Sequence, residues 1–403
     1  MPARNRPEAI VSVSWPDHLT FGEGDGRLAT PDAVARRMAV WRDELGATGL
    51  HWRVLRSRIP GTFRAARGYA HPSAAASADV QWDEMTTVPT LARAAGLQSW
   101  LYVSLFDDGY PLAPPAVRAV SYHNAMHGRH VAWQSRLTAQ HPDWVTVDRR
   151  GRRQWGVVNL LSAGARRAMR DRMLGLLKGT RFDGLFVCLR SQSRPADQAD
   201  QFGFNTPALR AFKARHGHGV TRDPAVLQGW RDLLGDGLTQ FLVELRCALG
   251  SRQLGVGVPR GDILGPPLGN STLAWRDWMA GGLVDALVVD QDSTRCPSMW
   301  HRLWPMHQGT GYLQDYTSGD GMPPLRRQLQ REYGPLATET GVDLWVARQW
   351  HDRAPREEAA LARIPGVTGM VHSSFRFDNP SAVARSDWRV GRDGMAHHPA
   401  RPR

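Results

Sequence analysis

Eight short apolar runs recur along this chain, separated by segments of helical period, and no other feature limits its possible folds so strongly. Runs of β-branched and aromatic residues alternating with amphipathic helices mark βα units around a parallel sheet. The runs are Ala9–Trp15, Gly49–Leu55, Gln98–Phe106, Asp183–Leu189, Leu254–Val258, Asp285–Asp290, Val342–Arg348 and Val367–Ser373. An open doubly wound sheet can hold eight strands, but eight βα repeats favour closure into a (β/α)8 TIM barrel, class α/β. A length of 403 residues suits one such barrel with insertions. Long insertions follow the second and third strands, the latter over about residues 107–161, and are expected to roof the C-terminal face. The barrel domain is placed at residues 1–380. After Asn379-Pro380, residues 381–403 are polar and basic and read as a loosely attached tail.

The intervening helices carry their own signals. Thr30 before Pro31 is an N-cap with proline at the first helical position, and Val34, Met38 and Trp41 follow on one face. Ser162 caps a helix bearing Met169, Met173 and Leu177. Further helices are expected at Thr206–His216, Pro224–Leu249, Leu273–Ala280, Pro324–Thr340 and Pro355–Ile364.

Composition excludes several classes. No apolar run approaches the roughly 18 residues that cross a bilayer. The opening Met1-Pro2-Ala3-Arg4-Asn5-Arg6 has no apolar core of a secretory signal. Cys188, Cys247 and Cys296 are too scattered for a disulfide framework or a zinc site, so a reduced, cytoplasmic protein is expected. The formal charge of +13 invites a nucleic-acid reading, but all except Lys178 and Lys213 of the 51 basic residues are arginine, spread along the whole chain. Phosphate-binding surfaces gather charge on one face or tail. The densest run, Arg149-Arg150-Gly151-Arg152-Arg153, has glycine at its centre and reads as a turn. Specific nucleic-acid and membrane partners are therefore not expected, and oligomeric state is left open.

Barrel enzymes keep their chemistry at the C-terminal ends of the strands. Asp262 and Asp290 lie at the ends of neighbouring strands five and six, where two carboxylates can converge on one pocket. Paired carboxylates are the apparatus of glycoside cleavage, one serving as acid and the other as nucleophile or base. Asp262 is assigned the acid and Asp290 the nucleophile or base. The plainer alternative is that both only cap turns. Trp15, Asp107, Arg190, Arg260, Gln291, Asp292, Trp300, Arg348, Gln349 and Trp350 complete the expected substrate-binding mouth. The arginines among them either bind an anionic substrate or balance the aspartates. Sixteen tryptophans, several in loops (Trp144, Trp155 and Trp304 besides those above), offer flat faces for sugar rings or staples for the insertions. Asp183 and Asp285 begin their strands, at the structural end of the barrel. His123, His127 and His130 share a face if helical, but no acidic ligand is near and no metal is expected. Gly22-Glu-Gly-Asp-Gly26 matches no nucleotide fingerprint, and no cofactor is expected.

Three segments together resemble a known family. His141-Pro-Asp-Trp144 leads through Gly151 to Asn159 and a helix, then to Phe182-Asp-Gly-Leu-Phe-Val-Cys-Leu-Arg190. Gly203-Phe-Asn205 follows, with Phe212-Lys-Ala-Arg-His-Gly217 behind it. This stretch, about residues 85–300, is similar to the glycosyl-hydrolase-like TIM barrels of bacteria. The resemblance implies a carbohydrate-active barrel, most simply a glycoside hydrolase acting on an oligosaccharide. Relatives of this type often carry a carboxylate in strand four, two residues before the arginine. Here that position is Cys188. A non-catalytic sugar-binding barrel is the rival expectation, and a barrel enzyme acting on an anionic substrate is a third.

Overall fold

The computed structural model describes residues 7–13, 28–53, 63–65, 82–106, 108–110, 133–189, 200–264, 271–290, 323–348, 355–374, 389–390 and 396–397. Its centre is a closed barrel of eight parallel strands: β1 (Glu8–Val13), β2 (Gly49–Trp52), β3 (Gln98–Ser104), β4 (Gly184–Cys188), β5 (Gln253–Gly257), β6 (Ala286–Val289), β7 (Asp343–Arg348) and β8 (Val367–Ser373). Each pairs with the next in chain order, and β8 pairs with β1, so no strand edge is left open. The expected TIM barrel is therefore present. β8 has the expected bounds.

The helices form where capping and periodicity place them. Helix α1 (Pro31–Asp43) starts with the Thr30 hydroxyl accepting the Ala33 N–H at 3.2 Å, and it buries Val34, Met38 and Trp41. Helices α2 (Glu84–Ala94), α3 (Ala163–Leu177), α4 (Thr206–His216), α5 (Pro224–Leu249) and α6 (Trp275–Ala280) follow. Helix α7 joins an α-helical turn (Leu325–Gln328), a π-helical turn (Leu329–Tyr333) and a second α-helical stretch (Gly334–Thr340). Helix α8 is Pro355–Leu361. Within α7, Gly334 lies so close to the Pro365–Gly366 backbone that no side chain fits between them.

Strand alternation divides the core into two parts. Outward residues such as Leu185, Val187, Leu344 and Val346 join one large cluster with the helices. Inward residues Ile10, Trp100, Tyr102, Phe186, Cys188, Ala286, Val288, Trp345, Ala347 and Val371 form a second cluster on the axis. Glycines make room for its tryptophans. A Cβ on Gly184 would meet the Trp100 ring at 2.5 Å, and one on Gly369 would meet Trp345 Cδ1 at 3.0 Å. The lower rim is fastened by the two aspartates that begin strands. Asp183 accepts the Ser99 N–H at 2.8 Å, and Asp285 accepts the Leu254 N–H at 2.7 Å.

The insertions after β2 and β3 meet in one small antiparallel sheet, in which Phe63–Ala65 and Gly109–Tyr110 flank Trp133–Ser135. The second insertion then forms a hairpin of Val145–Val147 and Arg153–Val158. Its arginine-rich connection is a turn, as expected: Asp148 accepts the N–H groups of Arg150 and Arg152, and Gly151 has φ +74°. These bonds, with the Arg152 guanidinium, hold the Asp148 carboxyl below the usual range against the opposing effect of burial. Arg172 of α3 grips buried Asp108 through both terminal nitrogens and so ties the insertion to the barrel. We expect Arg172→Met to destabilise the fold by about 3–5 kcal/mol, because it leaves a buried carboxylate without its cation. Urea titration of wild type and variant measures this, and an unchanged midpoint would refute it. Beyond residue 380, the described residues Arg389–Val390 and Ala396–His397 form a two-residue antiparallel ladder. Among the described residues no helix is long and apolar enough to cross a membrane.

Candidate active site

Asp290 follows β6 directly, at the C-terminal rim. It is completely buried, and its backbone has φ +71°. A non-glycine residue in this left-handed region is held at a cost, and such strain clusters at functional positions. Its neighbour is Arg260, from the segment after β5, with Nε 3.3 Å from Oδ1 and both side chains buried. Arg260 Nη1 also donates to the Pro323 carbonyl at 3.1 Å, at the entry to α7. Gly261 donates its N–H to the Tyr333 hydroxyl at 2.9 Å, which steadies the same segment from the π-helical turn. Two neighbouring strand ends thus meet at the Arg260–Asp290 pair, and α7 braces the Arg260 segment.

Asp262 is placed differently. Its side chain is 52% exposed, and Oδ1 accepts from Trp275 Nε1 at 2.8 Å and from Arg276 Nη1 at 2.6 Å, both at the start of α6. The described contacts of Asp290 and Asp262 are thus with different partners. Arg348 is a correction to the expected mouth. It shares the outward parity of Leu344 and Val346, is fully buried, and pairs with Glu357 at 2.8 Å and Glu358 at 3.2 Å on α8. Alternation along β7 turns it into the helical layer, where it braces α8. Trp15, Asp107, Arg190, Gln291, Asp292, Trp300, Gln349 and Trp350 lie outside the described residues, as do His123, His127 and His130. Among the described residues no group of three or more His, Cys, Asp or Glu side chains is arranged to hold a metal.

One axial residue was not singled out from the sequence. His51 sits on the inner face of β2, fully buried, with its ring stacked on Phe186 at 4.2 Å. Trp345 lies 5.7 Å away and Trp100 6.1 Å, centroid to centroid. Among the described residues neither ring nitrogen has a hydrogen-bond partner. Burial pushes its pKa down to about 3, so the imidazole is neutral at ordinary pH. Its signal in the sequence was a lone titratable residue at an inward position of an otherwise apolar strand. Cys188 lies on the inner face of β4 and is fully buried.

The motif residues that carry the family resemblance form a bracket beside this rim. His141 stacks on Trp144 at 3.8 Å. The Asn159 amide donates to Asn205 Oδ1 at 2.8 Å, and the Asn205 amide donates to the Val145 carbonyl at 2.9 Å. They lock the hairpin of the second insertion to the entry of α4.

No family model matches this chain, and no curated protein matches it in sequence. Solved structures do align with it. The glycoside hydrolase domain of PgaB (BpsB) from Bordetella bronchiseptica aligns over 94% of this chain and 98% of its own, with TM-score 0.50 and 14% identity. α-L-Fucosidase isoenzyme 2 from Paenibacillus thiaminolyticus aligns over 91% of this chain and 46% of its own, with TM-score 0.49 and 13% identity. The glycoside hydrolase domain of PelA from Pseudomonas aeruginosa covers 92% and 96%, with TM-score 0.40 and 12% identity. At 14% identity the likeness to the PgaB domain is one of fold alone, in keeping with the closed eight-stranded barrel.

Proposed function

We propose that the chain is a carbohydrate-active barrel that hydrolyses a glycosidic bond at its C-terminal mouth. It would act as a single-domain cytoplasmic enzyme without a cofactor. The observation that carries this reading is Asp290: a buried, backbone-strained carboxylate at a strand end, held by Arg260 from the segment after the neighbouring strand β5. Asp290 is the proposed nucleophile or base and Asp262 the proposed acid. A retaining enzyme would bring their carboxyl groups to about 5–5.5 Å with substrate bound, and an inverting one to roughly 6.5–9.5 Å. The expected tryptophan platforms and Arg190 would complete the mouth.

A screen of the purified protein against aryl glycosides and natural oligosaccharides tests the proposal, with Asp290→Asn and Asp262→Asn alongside. Turnover by the wild type that falls roughly 10²–10⁴-fold in each variant is expected. Wild-type turnover with both variants fully active would end the assignment. A second reading, a barrel that binds sugar without cleaving it, draws on the engagement of Asp262 by α6 and on Cys188 in β4. Saturable sugar binding with no turnover would favour it. The anionic-substrate reading loses support, because Arg260 and Arg348 both face carboxylates of the protein itself.

A further inference from the structure

We propose that His51 forms the floor of the sugar pocket, with a ring nitrogen hydrogen-bonded to a hydroxyl of a neutral carbohydrate. This rests on the barrel mouth being the carbohydrate-binding end, and it adds a recognition residue to that reading.

Four observations support it. First, among the described residues Nδ1 and Nε2 are both buried without a hydrogen-bond partner, and Trp100 Nε1, on the paired residue of β3, is in the same state. Leaving a buried polar group unsatisfied costs about 1–3 kcal/mol, whereas a phenylalanine in this aromatic setting would cost nothing of the kind. Second, His51 is next to the mouth. It is the third of four residues in β2, and the next residue of the same parity, Arg53, lies over the Tyr102 ring at 5.1 Å. Third, two inward positions nearer the strand ends are small and polar. Ser12, the register partner of His51 on β1, and Ser104 at the end of β3 are both only partly buried, and a hydroxyl-bearing ligand entering from the mouth would meet them before the His51 ring. Fourth, Trp345, Trp100 and Phe186 surround the ring with apolar faces.

The chemistry selects the ligand. A neutral imidazole presents one donor and one acceptor, and an alcohol presents the same pair in return. Carboxylate and phosphate groups offer only acceptors and seek a cation, which this ring is not.

The test uses the full chain and free monosaccharides, which contain no bond to cleave. Histidine-labelled protein is titrated separately with glucose, galactose and fucose, with inorganic phosphate as the anionic control. The His51 ring ¹⁵N signals are identified by their absence in His51→Phe. At least one sugar should shift them while phosphate leaves them in place. His51→Phe should weaken that sugar at least tenfold while melting at or above the wild-type temperature. A histidine with a purely structural role would give the reverse: a lowered melting temperature and unchanged sugar affinity. That pair of results overturns the proposal, as does a His51 signal that no sugar moves. The two readings fail separately. Shifted signals without turnover of any glycoside retire hydrolysis and keep the pocket. Turnover with an unmoved His51 keeps hydrolysis and retires the pocket.

Discussion

Among the described glycines, Gly366→Ala should be one of the most damaging additions of a single methyl to this fold. Gly366 has φ +86°, and a Cβ there would lie 2.1 Å from the Gly334 carbonyl oxygen and 2.8 Å from its carbon. The obstacle is backbone, so no rotamer change relieves it. Left-handed backbone costs an L-residue about 1–2 kcal/mol, and overpacking adds about 1–3 kcal/mol or more. The total is a large part of the roughly 5–15 kcal/mol that separates folded from unfolded domains. Urea midpoints and soluble yield measure it. Gly46→Ala is the control: its φ is +70°, but nothing lies within 4 Å of the added carbon. It should show the conformational cost alone. Equal losses in the two variants would show that the contact between α7 and the segment before β8 is slack.

The second large effect is acid sensitivity centred on His51. Its folded pKa of about 3 lies below the unfolded value of about 6.5. Between those values the unfolded chain binds a proton that the folded chain refuses, so stability falls as pH falls. Its contribution is complete above about pH 6.5 and is lost progressively down to about pH 3, at up to about 1.4 kcal/mol per unit. Denaturant titrations across this window should show a slope that His51→Phe removes. A slope unchanged in the variant would mean that a water or a moved side chain already solvates the ring.

Much of the architecture was legible because periodicity reports burial directly. Strands such as Asp343–Arg348, covered on both faces, read as apolar runs, and Thr30 and Ser162 announced their helices as N-caps. The turn at Gly151 was legible for the same local reason. The site was less legible because it depends on which way each side chain faces. Arg348 looked like part of the mouth from its place at the end of β7, but one step of alternation gave it to α8. His51 was read only as one residue of a strand, since an inward position becomes special only when its surroundings are known. The tryptophans divide similarly: Trp41, Trp52, Trp230, Trp275 and Trp278 are interior residues of helices and strands, and Trp144 packs on Gly164.

The bracket of His141, Trp144, Asn159 and Asn205 bears on how relatives should be gathered. These are the most recognisable letters in the chain, yet each is engaged in holding a hairpin to a helix. A lineage can exchange its reacting groups and still keep this clasp, since none of its bonds involves the residue after β6. Proteins collected by these letters will therefore share a scaffold while differing in what they transform. Sorting them by chemistry calls for the residues aligned with His51, Cys188, Arg260 and Asp290.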